Sequence, residues 1–288
     1  MVPQRIRFIT LNEMAMTERQ PMLENAQGRW TEQGTGAPVI LVHGIPTSPR
    51  LWRHVMPLVQ GRCLAWEMPG YGTSIPQDAN KDLSLSAQAG YLLEWLDSLD
   101  LGQKPVLVGH DLGGGVAQIA ALRQPDAFAG LMLTNSVAYD SWPVPSVKMM
   151  QRLAPVMARL PASLIYPTMV QLLHRGHDNR QRALESIREH WAPYSTHGAA
   201  RALMSQVLPL TASDTKEISA QLHTLGLPAR VVWGAADRFQ KIRFGERLAA
   251  ELGCDIITIP EGKHFTPEDH AETVAAAINS LLAEAQKH

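Results

Sequence analysis

Three residues of this sequence, Asp111, Asp237 and His264, have the types and the chain order that nucleophilic hydrolysis requires. Asp111 is the central residue of the pentapeptide GHDLG, in which glycines flank a sharp turn between a predicted strand and a predicted helix. A side chain in that place lies at the N-terminus of the helix, whose positive end keeps a carboxylate ionised. The pattern predicts that Asp111 is a nucleophile; the alternative is that Asp111 only caps the helix.

Two residues that follow Asp111 could activate a water molecule. Asp237 comes directly after the apolar run VVWGAA, and His264 lies in the loop sequence PEGKHFTPED. Nucleophile, acid and histidine in this order predict that Asp237 orients the His264 ring and stabilises its charged form. The alternatives are an aspartate in a surface turn and a histidine without a catalytic role, one of 11 in the chain.

A fourth segment, His43-Gly44-Ile45-Pro46, follows the apolar run PVILV. The backbone N–H groups of Ile45 and Leu112 could point to one place and form an oxyanion hole there. His43 and Pro46 are then predicted to shape this loop. The tetrapeptide is informative only together with the glycine-flanked turn.

The elements that must position these residues are buried strands alternating with helices. Continuous apolar, β-branched runs indicate strands buried on both faces; they cover 38–44, 62–70, 105–111, 130–137, 227–234 and 255–260, with shorter strands at 5–12 and 28–33. Helices are predicted at 48–61, 83–101, 113–125 and 267–285. This alternation predicts the α/β fold class, with a mostly parallel sheet covered by helices on both faces.

The alternation stops after Val137, and the stretch 138–215 has a helical pattern rich in proline and methionine. We interpret this stretch as an inserted helical cap, and 1–137 together with 216–288 as the core domain. The methionines of the cap are predicted to pack between its helices, with a deformable apolar pocket as the alternative.

Composition excludes several classes of partner. The chain has 288 residues, of which 45% are hydrophobic and 18% charged, and its formal net charge is −1. These values are ordinary for a soluble globular protein and give no reason to expect nucleic acid or a membrane as a partner. The N-terminal segment lacks the apolar core of a signal peptide, and no run of about 18 apolar residues occurs, so we expect a cytoplasmic protein. Cys63 and Cys254 are expected to be buried thiols.

We expect no cofactor and no metal. The cluster His174, His177 and Asp178 offers too few ligands for a zinc site and is interpreted as a solvated loop. The glycine triplet at 113–115 lacks the lysine that follows in a phosphate-binding loop. Both monomer and homodimer stay open.

A resemblance to known proteins is carried by the segments HGIPTSPRLWRHVMP, EMPGYGTSIP, LVGHDLGGG, VVWGAADRF and GKHFTPED, which are similar to the α/β-hydrolase superfamily. The resemblance implies the α/β-hydrolase fold and the triad Asp111, Asp237 and His264. An aspartate nucleophile with an HGxP loop resembles the branch of epoxide hydrolases and haloalkane dehalogenases. That likeness implies an alkyl-enzyme ester on Asp111, which water activated by His264 hydrolyses.

Haloalkane dehalogenases have a pair of donors for the halide, commonly an Asn or Gln at the position of Ile45 or a Trp at the position of Leu112. Neither Ile45 nor Leu112 has a donating side chain. Trp142 and Trp191 could supply indole N–H groups from the cap instead. The arginine that follows the nucleophile in fluoroacetate-type dehalogenases is also absent.

Epoxide hydrolases use cap tyrosines that protonate the epoxide oxygen. The cap contains Tyr139, Tyr166 and Tyr194. Tyr166 and Tyr194 lie roughly where that family places its pair; the alternative is that both are ordinary cap residues. Hydrolysis of a small apolar epoxide is therefore the first expectation and dehalogenation the second. A non-catalytic ligand-binding protein of the same fold is the alternative from another class.

Overall fold

The computed structural model describes residues 22–76, 80–196 and 198–287. The strand predicted at 5–12 lies outside them. Eight strands among the described residues form one sheet in the order β1-β2-β4-β3-β5-β6-β7-β8. They are β1 (Leu23–Glu24), β2 (Arg29–Gln33), β3 (Pro38–Val42), β4 (Arg62–Glu67), β5 (Val106–His110), β6 (Gly130–Thr134), β7 (Ala229–Gly234) and β8 (Ile256–Ile259). Only the pairs β1–β2 and β2–β4 of this sheet are antiparallel. The predicted mostly parallel sheet is confirmed.

Both faces of the sheet are buried, which explains why β3, β5 and β6 are apolar at nearly every position. Side chains of a strand alternate between the two faces. In β3, Ile40 and Val42 pack into the apolar cluster on one face, whereas Val39 and Leu41 pack into the cluster on the other.

The described residues contain ten α-helices: α1 (Leu85–Asp97), α2 (Leu112–Arg123), α3 (Pro145–Met157), α4 (Ala162–Gly176), α5 (Arg180–Thr196), α6 (Ala199–Val207), α7 (Ser213–Ser219), α8 (Ile242–Leu252), α9 (Thr266–Asp269) and α10 (Ala271–Ala285). Side chains of α1, α2 and α8 complete the first apolar cluster, and side chains of α10 complete the second. Helices on both faces of the sheet are therefore confirmed.

Two predicted helices are interrupted. The stretch 48–61 forms two 3₁₀ turns, because Pro57 lacks the N–H group that a continuous α-helix would use at that position. The last helix is divided into α9 and α10 at His270, whose φ of −133° is not helical. Cys63 is buried as expected, but Cys254 is partly exposed because it lies between α8 and β8 at the end of the sheet.

The helices α3 to α6 lie within 138–215, between β6 and β7 in the chain. They pack against one another around an apolar cluster that includes Ile165, Met169 and Met204. The next helix, α7, crosses position 215 and packs against α2. The division into a core and a cap domain stays a prediction. No helix in the described ranges is long and apolar enough to cross a membrane.

Candidate active site

The turn between β5 and α2 places Asp111 at the carboxyl edge of the sheet. The backbone of Asp111 has φ 52° and ψ −123°, a conformation that a residue with a side chain rarely adopts. Gly109 and Gly113 flank it, and a Cβ on either glycine would overlap neighbouring backbone. The Asp111 side chain makes no capping hydrogen bond to α2. The strained turn therefore holds a carboxylate that the helix does not use as a cap.

The Asp111 carboxylate faces two backbone donors and one imidazole. Oδ2 accepts a hydrogen bond from the N–H of Ile45 at 3.0 Å, and the N–H of Leu112 adjoins the same carboxylate. Nε2 of His264 lies 3.7 Å from Oδ1. Burial raises the pKa of Asp111, and the opposing effects of His264 and the two N–H groups only partly offset that rise. The predicted oxyanion-hole donors thus surround the carboxylate itself.

Asp237 and His264 form a close pair behind Asp111. Nδ1 of His264 lies 2.8 Å from Oδ2 of Asp237, and both side chains are buried. Burial alone would lower the pKa of His264, but Asp237 and, less strongly, Asp111 raise it above the ordinary histidine value. Burial alone would raise the pKa of Asp237, yet His264 and Asn135 lower it below the ordinary value. The pair therefore favours a charged aspartate and a basic imidazole.

Asn135 is a site residue that the sequence reasoning missed. Its Nδ2 donates to Oδ2 of Asp237 at 2.7 Å, and its Oδ1 accepts hydrogen bonds from the N–H of Gly234 and the hydroxyl of Thr266. Asn135 is buried and has φ 42°. The signal in the sequence was an amide directly after the buried strand β6, at the edge of the sheet where Asp111 lies.

Buried side chains hold the loop after β3 in place. His43 is completely buried; its Nδ1 lies 3.0 Å from the carbonyl oxygen of Gly44, and its Nε2 accepts the N–H of Met68. Burial lowers the pKa of His43 to about 3, so its ring is neutral. Pro46 is buried and joined to Ile45 by a cis peptide bond.

A cavity of about 60 Å³ opens beside Asp111 and His264. Its walls are largely apolar, and include Leu112, Val137, Val147, Leu172, Leu210 and Phe239. The helices of the predicted cap supply Val147 from α3 and Leu172 from α4. An apolar lining of this kind favours apolar over charged ligands.

The predicted tyrosine pair does not line this cavity. Tyr166 is 41% exposed, and its ring packs 5.0 Å from that of Trp191, which also lies outside the cavity wall. Tyr194 is buried, but its hydroxyl donates to Oε1 of Gln206 at 2.7 Å. The tyrosine pair that the resemblance to epoxide hydrolases implies is therefore not assembled at Asp111. Helix packing leaves the Tyr166 ring partly exposed to solvent and turns the Tyr194 hydroxyl toward α6.

Trp142 and Tyr139, which were expected to offer donors from the cap, have other partners. Trp142 lines the cavity, but its indole N–H donates to Oγ1 of Thr215 at 2.7 Å. Tyr139 has its ring under the guanidinium of Arg247, 3.8 Å from the centroid, and its pKa is raised by burial and by Glu251. Thr215 therefore occupies the Trp142 donor, and Tyr139 does not line the cavity beside Asp111.

A buried ionic cluster fixes the loop that carries His264. Glu268 has no exposed side-chain surface and accepts hydrogen bonds from Arg53, from Nε2 of His177 at 2.8 Å and from Nε2 of His190 at 3.3 Å. The backbone N–H of His264 donates to the carbonyl of Gly176 at 2.9 Å. The interpretation of 174–178 as a solvated loop fails at His177, which Glu268 holds in the interior. No group of three or more potential metal ligands occurs among the described residues.

A nucleophile turn between strand and helix, an acid after a later strand and a histidine before the last helices define the class of α/β hydrolases. The chain belongs to the alpha/beta hydrolase family, whose model matches residues 39–277.

Curated relatives and solved structures agree with this assignment. The chain is 27% identical over 272 residues to haloalkane dehalogenase 2 of Mycobacterium tuberculosis, covering 88% of this chain and 92% of that protein. It is also 27% identical over 282 residues to a haloalkane dehalogenase of Mesorhizobium japonicum, covering 92% and 90%. An α/β hydrolase fold protein from Burkholderia ambifaria is similar with a TM-score of 0.81 at 24% identity, covering 91% of this chain and all of that one. This last likeness shows the fold.

Proposed function

We propose that this protein is a hydrolase in which Asp111 displaces a leaving group from a saturated carbon. The observation that carries the proposal is the 3.0 Å hydrogen bond from the N–H of Ile45 to Oδ2 of Asp111. In a serine hydrolase, such N–H groups bind the carbonyl oxygen of the substrate. Here they are placed to stabilise negative charge on the nucleophile's own carboxyl group, as hydrolysis of an ester on Asp111 requires.

The reaction has two steps. In the first, Oδ1 of Asp111 attacks the substrate carbon, and the leaving group departs with the electron pair of its bond. In the second, Nε2 of His264 takes a proton from water, whose oxygen attacks Cγ of Asp111, and the charge that develops on Oδ2 is stabilised by the N–H of Ile45. Asp237 stabilises the imidazolium. When the tetrahedral intermediate collapses, the departing alkoxide takes the proton from His264 and leaves as the alcohol. The carboxylic acid of Asp111 then loses its own proton to solvent, which restores the carboxylate.

Saturated carbon is the electrophile that suits an aspartate. An alkyl ester of Asp111 can be hydrolysed, whereas a serine in this place would form an inert ether. Attack of Asp111 on a carboxylic ester would give a reactive anhydride, which makes ordinary esterase activity unfavourable. We therefore propose a small, apolar alkyl substrate.

Among leaving groups, we propose a halide first and an epoxide oxygen second. A departing halide needs hydrogen-bond donors but no proton, whereas the alkoxide from an epoxide needs an acid, and the expected tyrosine pair is not among the cavity walls. The dehalogenase relatives support the same order. One observation supports epoxide hydrolysis. The hydroxyl of Tyr194 is buried, and burial raises its pKa, so it stays protonated as an acid for the epoxide oxygen must. A binding protein without catalysis would not need the Asp237–His264 pair.

His264→Gln tests the mechanism, because it should form the ester but not hydrolyse it. We expect the variant, incubated with 1-bromobutane or with styrene oxide, to gain the mass of one substrate fragment on the peptide that contains Asp111. The variant with an additional Asp111→Asn change is the control and should gain none. If the native protein turns over either compound while His264→Gln acquires no adduct, the ester mechanism is wrong.

A further inference from the structure

The last turn of α4 holds the backbone of the loop that carries His264. The carbonyl oxygen of Gly176, the final residue of α4, accepts hydrogen bonds from the N–H of His264 at 2.9 Å and from the N–H of Phe265 at 3.1 Å. The carbonyl oxygen of His264, in turn, lies 2.9 Å from Nε2 of His110, the final residue of β5. The backbone of His264 is therefore held between α4 and the sheet.

Side chains of the same segment reinforce this backbone contact. The ring of His177 stacks on that of Phe265, with 4.6 Å between the ring centroids and 22° between the ring planes. Nε2 of His177 also lies 2.8 Å from Oε2 of Glu268, in the helix α9 that follows the loop. Phe265 has no exposed surface, and its ring also contacts those of His110 and His264. A movement of the end of α4 would therefore displace the His264 loop with it.

Gly176 is the residue that allows α4 to approach this loop so closely. A Cβ at Gly176 would lie 2.4 Å from Cε2 of the Phe265 ring, closer than non-bonded atoms can approach. The ring is completely buried, so it has no free space to move into. Gly176 does not have a positive φ, so its backbone conformation does not require glycine. The lack of a side chain therefore serves the contact between α4 and the His264 loop.

The His264 ring depends on this contact for its place beside Asp111. Nε2 of His264 lies 3.7 Å from Oδ1 of Asp111, which is too far for a hydrogen bond that would fix the ring there. The ring is held at its other nitrogen, because Nδ1 lies 2.8 Å from Oδ2 of Asp237. The distance from Nε2 to Asp111 is therefore set by Asp237 and by the backbone that Gly176 holds.

We propose that Gly176 and His177 are positioning residues for His264, so that α4 controls hydrolysis of the Asp111 ester but not its formation. This proposal rests on the proposed function. Formation of the ester uses the Asp111 carboxylate, which the turn after β5 and the N–H of Ile45 position. Hydrolysis requires Nε2 of His264 to hold a water molecule at Cγ of Asp111, and a displacement of about 1 Å in such an arrangement can slow a reaction about 100-fold.

Gly176→Ala tests the proposal with 1-bromobutane as the substrate. The new Cβ should displace the end of α4 or the Phe265 ring. The ester should then form at a rate within about 3-fold of the native protein but decay about 10- to 100-fold more slowly. Rapid-quench mass spectrometry measures both rates. Gly90→Ala, at a glycine of α1, is the control, since the nearest atom to its new Cβ is 3.9 Å away.

Steady-state kinetics distinguish positioning from a loss of folded protein. When only hydrolysis of the ester slows, kcat and KM fall together. Their ratio stays nearly unchanged, because kcat/KM depends only on the steps up to departure of the halide. A variant that is merely less folded would instead show a lower kcat with an unchanged KM. That result, or ester decay at the native rate in a folded Gly176→Ala protein, would overturn the proposal.

His177→Gln provides a second variant that introduces no overlap. It keeps a donor for Glu268 but removes the ring that stacks on Phe265, so it should give a smaller loss of the same kind. His174→Gln, the same change at an exposed position three residues earlier in α4, should leave both steps unchanged. If Gly176→Ala does not fold, the same criteria decide the proposal on His177→Gln. Failure of His264→Gln to trap any ester from 1-bromobutane or styrene oxide would instead overturn the proposed function.

Discussion

The N–H of Ile45 donates to Oδ2 of Asp111 at 3.0 Å, so the loop after β3 holds the Asp111 carboxylate directly. Gly44, the preceding residue, lies so close to this carboxylate that a Cβ would overlap it. A glycine is therefore required for the loop to approach Asp111, quite apart from any turn.

Gly44→Ala should displace this loop and lengthen the hydrogen bond to Asp111. We expect hydrolysis of the alkyl-enzyme ester to slow by about 100-fold, because the charge on Oδ2 loses a donor. Rapid-quench mass spectrometry would measure the decay of the ester. Gly90→Ala is the control, since the nearest atom to its new Cβ is 3.9 Å away. Native-rate decay in Gly44→Ala would show that the loop does not stabilise the oxyanion.

Asn135 and His264 both bind Oδ2 of Asp237, at 2.7 and 2.8 Å. Asn135→Gly removes the amide but suits the positive φ, whereas Asn135→Ala removes the amide and adds backbone strain. We expect ester hydrolysis to slow by about 10-fold or more in both variants, because a hydrogen bond to a charged group contributes about 1.5–3 kcal/mol. Only Asn135→Ala should also lose appreciable stability in thermal melts. Native kinetics in Asn135→Gly would contradict a role in orienting Asp237.

The pH dependence should differ between the two steps. Hydrolysis requires a neutral His264, so its rate should fall as the pH drops through the pKa of His264. In the free protein Asp237 and Asp111 together hold that pKa above the ordinary value of about 6.5. Esterification removes the charge of Asp111, so the pKa in the ester should be lower than in the free protein. Single-turnover rates against pH would test this; a higher pKa in the ester would contradict it.

The proposed triad could be inferred from the sequence because each of its signals is local. Gly109 and Gly113 mark the strained turn, and the acid and the histidine each follow a short apolar strand. The sheet was readable for a related reason, since strands buried on both faces are apolar at successive positions. The glycine-flanked turn and the apolar strands depend only on residues that are neighbours in the chain, so they can be recognised in the sequence.

The opposite wall of the cavity could not be predicted in this way. Whether Tyr194 faces Asp111 or Gln206 depends on how α5 packs against α6, and periodicity does not specify that packing. Asn135 likewise becomes a partner of Asp237 only because β6 and β7 are neighbours in the sheet.

The two cap tyrosines should separate halide from epoxide chemistry. Tyr194→Phe removes a hydroxyl that binds Gln206, and Tyr166→Phe removes one that is largely exposed. If the substrate is a haloalkane, both variants should release halide at rates within about 3-fold of the native protein, since no proton is needed. A loss of 100-fold or so in diol formation from styrene oxide in Tyr194→Phe would instead favour the epoxide assignment. Circular dichroism would confirm that both variants are folded.

Glu268 should contribute more to stability than any exposed acid of the chain, because it neutralises Arg53 and His177 in the interior. Burial would raise the pKa of Glu268, but Arg53 and the histidines hold it well below the ordinary value. Glu268→Gln removes the fully buried counter-charge that Arg53 and His177 share and should cost about 3–5 kcal/mol in urea unfolding. Glu185→Gln, at a half-exposed partner of Arg53, is the control and should cost at most about 1 kcal/mol.

The difference between native protein and Glu268→Gln should also depend on pH. Burial alone would lower the pKa of His177, but Glu268 raises it above the ordinary value, so its charged form stabilises the fold. That contribution is present below the unfolded pKa of about 6.5 and is lost as the pH rises through the folded pKa. The gap in unfolding free energy should therefore narrow as the pH rises from below about 6.5 through the raised folded pKa of His177. A gap that stays constant over this range would mean that the Glu268–His177 contact is not an ion pair.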